Sequence, residues 1–196
     1  MVSRFTPTDT SRYLLLGRHG EKDNIAGLPD IEQPLTRTGI SQWKMNGNNL
    51  IMAGIKPDYI LSSSVGRALN SAKHLLASMD IGYTDPPAIQ QCGNTLYSTY
   101  EASDLVSFLQ EELPDTALCP LIIGHNPGMH RLALHLAGAN ETPLRAQIDV
   151  NFPSAALCLF QVQAASWTDL TPKTCTLIGL LSESKMRLPV FPGPRP

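Results

Sequence analysis

Charge is sparse in this sequence: 16% of its residues are charged, and they sum to a net −2 with a pI near 6.2. No global basic field exists to hold nucleic acid or an anionic membrane, so neither is expected as a partner, and any affinity for an anion must be local. The four cysteines, Cys92, Cys119, Cys158 and Cys175, lie far apart without a Cys-x-x-Cys pair. That spacing favours reduced, buried, structural thiols over a disulfide framework or a metal set, and no metal site is expected. Long apolar runs are missing too: Tyr13-Leu14-Leu15-Leu16 is far too short to cross a bilayer and reads as a buried strand. Met1 to Thr10 is polar and lacks the apolar stretch of a secretory signal. A reducing cytoplasm is the expected location.

What is present describes one globular domain. A chain of 196 residues with 42% apolar content can bury a sizeable core. Short apolar runs alternate with helical patterns, which predicts parallel strands joined by crossover helices. Strands are expected near 13–17, 57–62, 119–124, 155–162 and 174–181, and helices over 39–53, 65–79, 102–112 and 128–138. The fold class is therefore α/β, a single-domain three-layer α/β/α sandwich around a mostly parallel central sheet, over residues 12–185. Ser103 or Glu101 starts the third helix and Pro114 stops it. Residues 20–38 form a loop long enough to be functional. Residues 186–196 form a Pro-rich tail, with four prolines between Leu188 and Pro196 that rule out regular structure there.

Chemistry concentrates at strand ends, where ligands of parallel α/β sheets gather. The first apolar run ends in Gly17-Arg18-His19-Gly20-Glu21. A neutral imidazole is a good nucleophile toward phosphorus, a guanidinium matches two phosphate oxygens, and glycine lets the backbone approach closely. Arg-His-Gly alone does not separate such a site from an ordinary loop histidine. The second run, Asp58 to Leu61, leads into Ser62-Ser63-Ser64-Val65-Gly66-Arg67, which brings Arg67 and a helix N-terminus to the same sheet edge. Its serines serve equally well as helix caps. The most apolar run, Pro120 to Gly124, ends in His125-Asn126-Pro127-Gly128, where Pro127 can open the next helix. Three strand ends that deliver Arg-His, Arg and His to one edge are hard to explain as packing. Arg18, His19, Arg67 and His125 are the candidate catalytic residues, with Gly20 and Asn126 beside them as candidate substrate contacts.

Five segments, in order, resemble the histidine phosphatase superfamily, which includes the phosphoglycerate mutases, and within it the SixA-type phosphohistidine phosphatases. They are Leu16 to Glu21, Pro34-Leu35-Thr36-Arg37-Thr38-Gly39, Ser63 to Ala72, Leu96-Tyr97, and Ile123 to Gly128 with Leu136-Ala137-Gly138. The resemblance spans about residues 12–185. It implies that His19 becomes phosphorylated, that Arg18 and Arg67 clamp the phosphoryl oxygens, that His125 stabilises charge on the transferring group, and that water then releases phosphate. It implies no metal or organic cofactor. The expected partner is a phosphorylated protein or small molecule, with phosphate or another anion in the site.

Departures from the pattern bear on the substrate. Leu69 stands where SixA-type sequences often carry a second arginine, and Asn24 lies five residues after His19 where the mutase branch looks for an asparagine at six. A general acid that protonates an alkoxide leaving group typically contributes about 10² to 10⁴-fold. Glu21 is the first candidate for it, with Asp23 and Glu101 behind, and each also reads as plain surface charge. A phosphohistidine or acyl phosphate needs no such acid, which leans the reading toward a SixA-like substrate. The alternatives are a sugar or nucleotide phosphatase or mutase of the same superfamily, and a phosphate-binding module without turnover. His74, His130 and His135 read as packing or surface residues, as do Trp43 and Trp167. Gly124 to Gly128 lacks the lysine and glycine spacing of a Walker loop.

Overall fold

A computed structural model describes residues 12–79, 83–139, 142–182 and 185–188. Its centre is a seven-stranded sheet in the order β3-β2-β4-β1-β5-β6-β7. The strands are β1 (Arg12–Arg18), β2 (Tyr59–Ser62), β3 (Ile89–Gln91), β4 (Pro120–Gly124), β5 (Leu157–Val162), β6 (Cys175–Ser182) and β7 (Lys185–Arg187). The helices are α1 (Arg37–Met52), α2 (Gly66–Ser78), α3 (Thr95–Ser98), α4 (Ala102–Glu112), α5 (Gly128–Ala137) and α6 (Pro143–Val150).

Successive side chains of a strand point to opposite faces, so an unbroken apolar run needs cover on both. β1 has that cover. Leu14 and Leu16 join one apolar cluster with Leu96, Leu105, Leu109, Met129, Leu132 and Ile148, while Leu15 joins the other with Trp43, Leu50, Ala68, Ala72 and Leu75. β4 and β5 divide in the same way: Ile122, Cys158 and Phe160 face the first cluster, and Leu121, Ile123, Leu157 and Leu159 the second. α1 and α2 therefore cover one face and α3 to α6 the other, which makes the three layers.

Parallel pairing holds for β3-β2, β2-β4 and β4-β1, the strands linked by helical crossovers. Beyond them β5 runs antiparallel to β1, and β6 antiparallel to β5. Between β5 and β6 the 163–174 connection holds a 3-10 turn at Trp167–Asp169 and no crossover helix, in keeping with their antiparallel pairing. Four short elements escape the periodicity reading, namely β3, α3, α6 and β7. α6 had a signal, since Thr142 precedes Pro143 and its hydroxyl accepts from the Arg145 N–H at 3.0 Å. The helix after Glu101 has no side-chain cap, so Ser103 does not serve as one. Met186 and Arg187, expected in the tail, lie in β7, and residues 189–196 fall outside the described residues. All four cysteines are free thiols, Cys158 buried and the others half-buried.

The 20–38 loop is well tied down. Thr36 caps α1 by accepting from the Gly39 N–H at 3.0 Å. The buried Gln33 amide accepts from the Ile25 N–H at 2.8 Å and donates to the Ile25 and Leu28 carbonyls at 3.0 and 2.8 Å. A 3-10 turn at Asp30–Glu32 follows from this clamp and presents Asp30 to the sheet edge.

Candidate active site

Because β4 lies between β2 and β1, the carboxyl ends of these three strands are adjacent. His19 leaves β1, Arg67 lies in the first turn of α2 after β2, and His125 leaves β4. The three side chains meet. The imidazole centroids of His19 and His125 are 4.7 Å apart, and Arg67 Nε donates to His19 Nε2 at 3.3 Å. All three residues are almost fully buried, at 3–4% exposure.

The backbone fixes each one. The His19 N–H donates to the Gly124 carbonyl at 3.1 Å, and its carbonyl accepts from the Ala155 N–H at 2.9 Å. The Arg18 N–H donates to the Ala156 carbonyl at 3.0 Å, and the His125 N–H to the Leu96 carbonyl at 3.1 Å. Ser71, one turn after Arg67, donates to the Arg67 carbonyl at 2.7 Å and accepts from the Gly20 N–H at 3.0 Å. That hydroxyl locks α2 to the loop after β1. Gly20 thus gives its N–H to Ser71, and its lack of a side chain serves packing on α1: a Cβ there would lie 2.6 Å from the Gly39 carbonyl oxygen. Ser63, like Ser71, is structural, its Oγ accepting from the Val65 N–H at 3.3 Å.

The partners of His19 determine its tautomer. A carbonyl only accepts, so the 2.7 Å contact of His19 Nδ1 with the Gly20 carbonyl puts the proton on Nδ1. A guanidinium only donates, so Nε2 carries the lone pair toward Arg67. Burial lowers the His19 pKa to about 3 against the opposing bond to Gly20, with the charges of Arg67 and Arg18 lowering it further. Burial likewise lowers the pKa of His125, helped by the neighbouring His19 and Arg67. Both imidazoles are neutral at pH 7. Arg18 donates from NH1 to the Phe152 carbonyl at 2.9 Å, and Asn126 donates from Nδ2 to the same oxygen at 2.9 Å. Arg18 Nε, both ring nitrogens of His125 and Asn126 Oδ1 are buried without a protein partner. Such groups are costly to leave unpaired, and three residues of the site, with four atoms between them, share this state.

Asp30 also reaches the cluster, and the sequence reading passed over it. Its Oδ2 accepts from Arg67 NH2 at 2.7 Å and from the Tyr97 hydroxyl at 3.2 Å, and its Oδ1 pairs with Lys22 at 3.1 Å. Burial opposes its ionisation, but hydrogen bonds and charge from Lys22 and Arg67 outweigh burial and bring its pKa to about 2. Tyr97 packs edge-on against His125, with ring centroids 4.9 Å apart, and lies under the Arg67 guanidinium. The three acids named from sequence are engaged elsewhere. Glu21 accepts from the Thr36 hydroxyl at 2.7 Å, Asp23 from the Asn24 N–H at 2.8 Å, and Glu101 pairs with Arg131 at 3.1 Å. Among the described residues, no group of three or more His, Cys, Asp and Glu side chains is arranged to hold a metal ion, and no helix is long and apolar enough to cross a membrane.

Neither a protein-family model nor a curated protein sequence matches the chain. Solved structures do. A candidate phosphohistidine phosphatase SixA from Nakamurella multipartitia superposes with a TM-score of 0.70 at 18% identity, over 89% of this chain and 98% of that one. The protein histidine phosphatase SixA complexed with tungstate gives 0.68 at 18% identity, over 87% and 96%. Mycobacterial glucosyl-3-phosphoglycerate phosphatase gives 0.53 at 12% identity, over 91% and 99%. At these identities the likeness is one of fold: the chain shares the α/β architecture of these phosphatases.

Proposed function

We propose that this chain is a phosphohydrolase that works through a phosphohistidine on His19, and that its substrate is a phosphohistidine or a comparably activated phosphoryl group, as in a SixA-type phosphatase. The observation that carries the proposal is the His19 tautomer. Nδ1–H is fixed on the Gly20 carbonyl, so Nε2 offers its lone pair beside two guanidinium-bearing residues and a second neutral imidazole.

The residues suggest a two-step course. The Nε2 lone pair attacks phosphorus as the bond to the leaving group breaks, while Arg67 Nε turns from Nε2 to a phosphoryl oxygen. Arg18 Nε and a His125 N–H, both without a partner in the free protein, donate to the remaining oxygens. Water then attacks phosphorus, its protons leave with the phosphate, and His19 departs as the neutral imidazole with Nδ1–H still donating to the Gly20 carbonyl. Proximity of a preformed nucleophile and of donors already held at the site supplies the rate, with the turn of Arg67 as the one rearrangement the course asks for.

The acids favour an activated substrate. Asp30 is the carboxyl group that touches the cluster, and with its pKa at about 2 it is ionised at neutral pH and cannot protonate an alkoxide. A phosphohistidine or acyl phosphate leaves without that help. The proposal is tested by a turnover screen of a phosphohistidine peptide, acetyl phosphate and several sugar phosphates, run without added metal. Turnover of the first two well above the sugar phosphates is expected; the reverse order would move the reading to a phosphomonoesterase.

A further inference from the structure

The segment between α6 and β5 does more for the site than its lack of reactive side chains suggests. Within five residues, the Phe152 carbonyl accepts from both Arg18 NH1 and Asn126 Nδ2, the Ala155 N–H holds the His19 carbonyl, and the Ala156 carbonyl holds the Arg18 N–H. The position of Phe152 therefore sets where the Arg18 guanidinium points. Phe152 is itself fully buried, and one face of its ring lies against His130: the two rings are stacked at 10° with centroids 5.8 Å apart.

His130 is tied to the same segment a second time. Its Nε2 lies 2.6 Å from the Ile148 carbonyl in the last turn of α6, and because a carbonyl only accepts, Nε2 carries the proton and donates. The imidazole thus spans from α5, the helix that follows His125, to the end of α6 and on to Phe152. It holds the chain on both sides of the exposed Asn151. A histidine that reads from sequence as a packing or surface residue thus links α5 to the segment whose carbonyl aims Arg18.

We propose that His130 is a positioning residue for anion binding, acting on the Arg18 guanidinium through its stack on Phe152 and its hydrogen bond to Ile148. The proposal rests on the phosphoryl-site reading of Arg18 given above. It differs from a merely structural role in one respect: the contribution of His130 to anion affinity must pass through Arg18. Removal of His130 lets the 148–152 backbone shift, the Phe152 carbonyl moves, and Arg18 loses its preset direction. Without an arginine at position 18 the Phe152 carbonyl aims only the neutral Asn126 amide, so little of the effect should remain.

A double-mutant cycle on the full chain reads this directly, with tungstate as the anion and calorimetry as the measurement. His130→Ala is expected to weaken tungstate binding by about fivefold to tenfold in the wild-type background, the size of one well-placed hydrogen bond. In an Arg18→Ala background the same change should cost less than about twofold. His130→Phe keeps an aromatic face toward Phe152 and drops the bond to Ile148; it should weaken binding less than His130→Ala, and it carries the cycle if the alanine variant does not fold. Equal losses in both backgrounds would overturn the positioning role while leaving Arg18 as an anion ligand. If Arg18→Ala alone binds tungstate as tightly as wild type, the phosphoryl-site reading itself fails.

Discussion

Arg67 is engaged on both sides: its Nε donates to His19 Nε2 at 3.3 Å, and its NH2 holds the Asp30 carboxylate at 2.7 Å. In the free protein a loop carboxylate thus occupies part of the guanidinium that a phosphoryl group would use. Asp30→Asn should therefore tighten binding of orthovanadate or inorganic phosphate. The expected gain is about twofold to fivefold, because a half-exposed pair contributes only about 0.2–1 kcal/mol. Inhibition constants for the two anions check this, and weaker binding in the variant would show that Asp30 supports the anion instead of competing with it.

The three acids named from sequence should matter little. Glu21, Asp23 and Glu101 are spent on Thr36, Asn24 and Arg131. Neutralising each in turn should change kcat/KM on acetyl phosphate by less than about tenfold, below the usual general-acid contribution. A loss of about a hundredfold on a sugar phosphate in any one variant, with binding retained, would identify a working acid.

Ala155 lies in the left-handed region at φ 57° while its N–H holds the His19 carbonyl, and its own carbonyl accepts from the buried Asn46 Nδ2 at 2.8 Å. Asn46→Ala leaves a buried carbonyl unpaired and should cost about 1–3 kcal/mol in urea denaturation. It should also lower turnover, since the backbone of His19, the proposed nucleophile, is held through this turn. Ala155→Gly relieves the left-handed strain but loosens the unfolded chain, so its stability should stay within about 1 kcal/mol of wild type.

Stability should fall as the solution is acidified, beginning at the pKa of a free histidine. His19 titrates near 3 in the folded protein and near 6.5 unfolded, and His125 is lowered as well. Below 6.5 the unfolded chain takes up protons that the folded one refuses, so stability is lost from there down toward the folded values. The limiting slope is about 1.4 kcal/mol per pH unit for each histidine. Denaturant midpoints measured from pH 7 to 4 check this, and the slope should shrink in a His19→Asn, His125→Asn double variant that still folds.

How far the sequence carried depends on what kind of feature was sought. The two-faced apolar runs at Leu14–Leu16 and Leu121–Ile123 declare parallel strands covered on both sides, and a residue at the end of such a strand has its place set by the sheet. That is why Arg18, His19, Arg67 and His125 could be picked out together. Asp30 could not. It sits in a loop with no period, and it reaches Arg67 only because the buried Gln33 amide folds that loop back on itself. The Phe152 carbonyl was equally hidden, since a backbone group shared by Arg18 and Asn126 leaves no mark on residue type. His130 and His135, five apart on a helix, suggest surface or packing roles; the stack of His130 on Phe152 appears only once α5 and α6 are set side by side.

The central claim is that His19 Nε2 takes up the phosphoryl group. Rapid mixing of the protein with phosphate-labelled substrate, followed by an alkaline quench that preserves phosphohistidine, measures it most directly. Wild type should trap acid-labile label on the peptide that contains residues 18–20, and His19→Ala should trap none while still giving a native circular-dichroism spectrum, although loss of the buried imidazole and its bond to the Gly20 carbonyl should lower the thermal midpoint. Turnover near wild type in His19→Ala, or label recovered on any other residue, would contradict the account.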